Sequence, residues 1–225
     1  LGVAPPEGAG GEAGAGEEAR GRRPPQKCSL STTLRFLQAM ASVQAGPYGA
    51  LQRLIARVLE HMQDLRPHQC FFLLQAMSRL RIKHAKAALV LQRLSLAWRG
   101  LPPKKLVQAA NAVAKLDLGG NLWAKPLKLA LGRTLPQLRW KHFMNLKAIA
   151  VMELLDDPEA MRDYLVRASE LGAYVFYSRH LQMVELHAHL LHRDMWDSLD
   201  EDVRLFLQQV RTAAERSRAG DGRAG

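Results

Sequence analysis

Cysteine is nearly absent. Cys28 and Cys70 are the only two in 225 residues, too few and too far apart for a disulfide framework or a zinc cluster. A reducing compartment is the expectation that follows. Aromatic residues make up only 6% of the chain, which disfavours a β-sandwich, whose strands draw on aromatic and β-branched side chains. No stretch approaches the roughly 20 uninterrupted apolar residues that cross a bilayer, so a soluble chain with no membrane partner is expected. Acidic residues are missing from the middle third. Between Arg79 and Lys147 stand fifteen Lys or Arg residues and one acid, Asp117.

That gap shapes the whole charge distribution. The net charge is +11, yet residues 1–28 cancel, residues 29–78 add only +2, and the chain from Ala148 onward carries −5. Solubility alone gives no reason to gather the surplus in one segment. A polyanion-binding surface does.

Present in abundance are Ala and Leu, within a hydrophobic content of 48%. They recur on a helical period. In Leu101 to Asp117, Pro102 and Pro103 suit the first turn of a helix. Leu106, Ala109, Ala110, Val113, Ala114 and Leu116 then form one stripe. Lys104, Gln108, Asn111 and Lys115 form another, at spacings of four, three and four residues. Taking Asn111 as the reference position, matching tetrapeptides begin at Gln38, Gln75, Asn111, Lys147 and Glu185, at intervals of 37, 36, 36 and 38 residues. Such a period predicts stacked helical pairs, an all-α solenoid of about five hairpin repeats over residues 29–217.

Residues 1–28, rich in Gly, Ala, Pro and Glu, are expected to be a disordered tail or one ordered by a partner. A short tail is expected again at 218–225. The five predicted pairs are 30–43 with 47–62, 67–80 with 83–98, 101–117 with 123–133, 140–154 with 157–172, and 177–191 with 199–216. Gly100 is expected to end the second pair, since glycine tolerates the left-handed conformation that ends helices, and Gly172 to end the second helix of the fourth. Glu185, with the acidic run Asp200 to Asp202, suits a capping repeat with a polar outer face.

In such a stack the first helices stand side by side, so equivalent positions form rungs on one wall. Amides there both donate and accept hydrogen bonds, as a base edge requires. Gln75, Gln108 and Asn111 are therefore assigned to bases or sugars, and Arg79, Lys83, Lys104, Lys105, Lys115, Lys141 and Lys147 to phosphates. Trp140, heading a repeat beside Lys141, is a candidate stacking ring. Phe71 and Phe72 are adjacent, so only one of them can point into the core.

The string PPKKLVQAANAVAKL resembles the octatricopeptide repeat motif. The array is also similar to heptatricopeptide repeats of organellar proteins and to the repeats of FAST-kinase-like proteins. The resemblance covers about Leu30 to Arg216. It implies an α-solenoid that binds RNA in mitochondria or chloroplasts, in transcript stability, processing, translation or ribosome assembly. The larger members often end in a RAP domain with nuclease-like character, and the resemblance stops short of one. At one base per repeat the footprint is about five nucleotides, too short to define a transcript alone. A non-catalytic subunit of an organellar ribonucleoprotein, contacting rRNA and neighbouring proteins, is the leading expectation. A protein scaffold gripping acidic segments with Phe72, Met144 and Val151 is the alternative.

No nucleophile has a partner, and no cofactor or small-molecule substrate is indicated. His180, His187, His189 and His192 crowd one predicted helix, but helical spacing pairs His189 with His192 and His180 with His187. Neither pair has an HExxH string or a nearby Cys, so no metal is assigned.

Overall fold

A computed structural model describes residues 29–221 and, within its last helix, side chains as far as Ala213. The expected tail at 1–28 lies outside the described residues, as do residues 222–225. Among the described residues the regular structure is helical, with no strand. Twelve α-helices form in order: α1 Leu30–Val43, α2 Tyr48–Glu60, α3 Pro67–Leu80, α4 Ala87–Leu94, α5 Pro103–Lys115, α6 Lys125–Thr134, α7 Trp140–Asn145, α8 Ala148–Leu154, α9 Pro158–Leu171, α10 Arg179–Leu191, α11 Arg193–Asp197 and α12 Glu201–Asp221. None is long and apolar enough to cross a membrane.

The helices that carry the recurring tetrapeptides pack in succession: α1 on α3, α3 on α5, α5 on α8 and α8 on α10. Small residues allow this approach. Ala109, Ala110, Ala112 and Ala114 of α5 are all buried, so neighbouring backbones can close on either side of that helix. The intervening helices form a second layer, α2 against α1, α4 against α3 and α6 against α5. One continuous core joins the layers, from Leu34 to Val210.

Two arginines repeat the same bond across the layers. Arg93 Nε donates to the Leu65 carbonyl at 3.3 Å, and Arg167 donates to the Leu138 carbonyl through Nε at 3.2 Å and a terminal nitrogen at 2.8 Å. Each carbonyl belongs to the segment just ahead of a reference-layer helix, where it has no helical partner.

Several boundaries differ from expectation, each for a local reason. The helix expected at 140–154 is broken, because Asn145 Nδ2 bonds back to the Lys141 carbonyl at 2.7 Å and Lys147 adopts an extended ψ of 148°. The helix expected from residue 83 starts at Ala87, since His84 Nδ1 accepts the Lys86 N–H at 3.1 Å and holds a turn. Gly100 is not left-handed; it ends a short 3-10 turn, Trp98–Gly100. Gly172 does close α9 at φ 52°. An extra helix, α11, precedes α12, and α12 continues to Asp221 instead of ending near Arg216.

Candidate nucleic-acid interface

The buried stripe of α5 fixes where its polar stripe must lie. Leu106, Ala109, Ala110 and Val113 face the core at 3% exposure or less, which leaves Lys104 and Lys105 exposed and Gln108, Asn111 and Lys115 half-buried.

At the N-terminal edge, His68, Lys104 and Trp140 are exposed at the starts of α3, α5 and α7. Lys105 Nζ sits 5.8 Å from the Phe71 ring and Lys141 Nζ 5.4 Å from that of Trp140. Trp140 stacks on Tyr174, centroids 5.6 Å apart and planes 14° from parallel. Both rings are solvent-exposed, at 41% and 65%. Phe72 is exposed while Phe71 is buried.

About three turns along α5 from Lys104, Lys115 meets the charges of neighbouring helices. The Lys115 ammonium is held below its usual range by burial, then by the charges of Lys147 and Arg81. His180 is likewise lowered by burial and by Lys147. Arg81 follows α3, Lys115 ends α5, Lys147 opens α8 and His180 opens α10, so the row crosses four packed helices. Among the described residues no carboxylate pairs with Arg81, Lys115 or Lys147. The one acid of the basic segment, Asp117, is taken by Lys83 at 3.5 Å. Glu153 lies beside them, its carboxyl raised by burial and by the Asp117 charge. Arg79 stands exposed in the last turn of α3.

Two of the three amides, Gln75 and Asn111, are hydrogen-bonded to neighbouring backbone. Gln75 Nε2 donates to the Gln108 carbonyl at 2.9 Å. Asn111 Nδ2 donates to the Asn145 carbonyl at 2.7 Å, and its Oδ1 accepts the Lys147 N–H at 2.9 Å. Both side chains thus tie one repeat to the next. Val151, expected on the wall, is fully buried, because the helix restarts at Ala148 and turns that position inward. Glu185 is buried at 1% exposure and paired with Arg211 of α12, so the fifth reference position is covered by α12 instead of lying on a polar outer face.

The histidines also regroup. His187 and His192, which helical spacing separates, meet on one oxygen of Asp156, at 2.9 and 2.8 Å. The helix ends at Leu191, and His192, at φ −122° and ψ 52°, swings its ring round to the His187 side. Although burial pushes the Asp156 carboxyl up, the hydrogen bonds and charges of the two histidines outweigh it and hold it below its usual range. His189 instead packs edge-on against Trp196, with its Nδ1 buried and without a partner.

Of the functional groups, Arg81 and Asp156 were not legible in the sequence. Arg81 is one more cation in a basic segment, and Asp156 lies far from the histidines in the chain. No protein-family model matches the chain, and no curated protein is similar to it.

Proposed function

We propose that this chain is an RNA-binding helical-repeat protein, a right-handed α-solenoid of five hairpin repeats whose central repeats hold RNA. It acts as a non-catalytic subunit of an organellar ribonucleoprotein, the mitochondrial ribosome, where it contacts rRNA. The observation that supports this is the run of Arg81, Lys115 and Lys147 on successive packed helices, where burial and then the charges of Lys147 and Arg81 hold the Lys115 ammonium below its usual range. Such a row gains most from a polyanion laid along it, because each phosphate relieves the mutual repulsion and releases counterions. The Trp140 and Tyr174 ledge, with Lys141 beside it, suits unstacked bases. The organellar setting rests on the resemblance of the repeats.

A protein neighbour in the same particle is favoured by α10. Met183, Leu186 and Leu190 are exposed there at a spacing of three and four residues, an apolar stripe that a partner helix can cover.

Fluorescence anisotropy with labelled single-stranded and hairpin RNA over a range of salt concentrations tests the RNA assignment. Changing Arg81, Lys115 and Lys147 to Glu lowers affinity by more than tenfold and flattens the salt dependence by roughly 0.7 log units per lost phosphate contact. Affinity retained within a factor of two overturns the assignment.

A further inference from the structure

The structure assigns a site for a divalent transition-metal ion, of which Zn2+ is the best match, to Asp156, His187 and His192. Three ligand atoms converge there, all within 4.8 Å of one another. They come from two separate parts of the chain. Asp156 lies in the link between α8 and α9, while His187 sits in α10 and His192 caps its end. The imidazoles are held with their ring centroids 5.9 Å apart and their planes at 61°. They are mostly shielded, with side chains 19% and 14% exposed, whereas Asp156 is open to solvent at 43%. Helix α10 and its sharp exit fix both ring directions, so little side-chain freedom remains to be lost on binding.

The chemistry of the donors selects the ion. Two imidazole nitrogens and one carboxylate oxygen form a borderline set that suits Zn2+ and its transition-metal neighbours, and does not suit Mg2+ or Ca2+, which take oxygen ligands. Bonds of about 2.0–2.2 Å in a tetrahedron put donor atoms roughly 3.4 Å apart. The present N···O separations of 2.9 and 2.8 Å therefore open by about half an ångström each. Because the carboxylate can only accept, each imidazole turns an Nε2 hydrogen toward it, and it is the neutral form of the ring that can ligate. To bind the ion through Nε2 it moves that proton to Nδ1 by exchange with water, with no net gain or loss.

Three protein donors leave the fourth position for water or a donor from a partner. The solvent-open face of Asp156 gives the ion an entry path. Once bound, the ion would clip the α8–α9 link to the α10–α11 corner. This proposal does not depend on RNA binding.

The test uses the full chain, freed of metal with a chelator and titrated with Zn2+ alone by calorimetry. Co2+ serves as a visible-spectrum probe of coordination geometry. One equivalent of Zn2+ binds with micromolar affinity or better, Co2+ gives tetrahedral d–d bands, and the thermal midpoint rises with Zn2+. His187→Ala, His192→Ala and the near-isosteric Asp156→Asn each weaken binding by at least about tenfold, while His142→Ala does not. Circular dichroism confirms that each variant is folded, and Asp156→Asn preserves the packing if an alanine variant fails. No stoichiometric binding by the folded wild type, or binding that survives both histidine changes, overturns the site.

Discussion

The side chain of Asn111 closes on the backbone at Lys147, accepting its N–H at 2.9 Å while donating to the Asn145 carbonyl at 2.7 Å. The Asn145 carbonyl ends α7 and the Lys147 N–H precedes α8, so neither has a partner within a helix. The amide therefore replaces a missing turn of helix. Gln75 likewise reaches the Gln108 carbonyl of a helix packed against its own.

Replacing Asn111 with Ala leaves two backbone groups without a partner. The expected loss is about 1–2 kcal/mol, a fall of several degrees in the thermal midpoint for a chain of this size. RNA affinity at a temperature where the variant is folded changes far less than on reversal of Lys147. A large loss of affinity at unchanged stability would make Asn111 a reader of bases after all.

Glu185 and Arg211 differ in their access to water, with side-chain exposures of 2% and 35%. Arg211→Ala strands a buried carboxylate and costs about 3 kcal/mol or more. Glu185→Gln costs less, because the arginine, which also lies over the Trp196 ring, can turn toward solvent. Urea denaturation of the two variants reads the asymmetry; equal losses would contradict it.

Three residues six places after the reference positions, Gln44, Arg81 and Asp117, share a left-handed backbone with φ of 51°, 56° and 61°. A side chain is strained there by roughly 1 kcal/mol. Gln44→Gly removes that strain at an exposed site and is expected to stabilise by about 0.5 kcal/mol, after the greater freedom of glycine in the unfolded chain. Gln44→Val destabilises. Thermal melts of the pair decide the sign.

Cys70 is fully buried, and burial pushes its thiol up from 9.0 to about 11, against a smaller opposing effect of Arg93. In a Cys28→Ser background, iodoacetamide at pH 8 labels Cys70 only after unfolding. A group whose pKa is raised by folding stabilises fully below its unfolded value and loses that contribution as pH rises through the folded one. Stability attributable to this thiol thus declines between pH 9 and about 11, and Cys70→Ala removes that part of the pH dependence.

The helices were legible wherever apolar periodicity and caps agreed. Residues 30–43 and 67–80 match α1 and α3 end for end, since proline, serine and the buried stripe all act within one turn of the chain. The break at Leu146 and Lys147 was not, because its partner is an amide 36 residues earlier. For the candidate interface, the sequence supplied the basic segment and most of its lysines, but it also gave the amides a role at bases that their bonds to neighbouring backbone now compete with.

By itself the sequence determined that the described residues build an all-α fold and that the chain's positive charge gathers in the middle. Both follow from local propensity and from counting, which need no partner across space. Only the tertiary structure decided which polar side chains are spent holding helices together, which cations stand unpaired beside one another, and that Asp156 meets two histidines from a later helix. Those outcomes depend on where helices end and how closely alanine lets them approach, distances that residues remote in the chain set jointly.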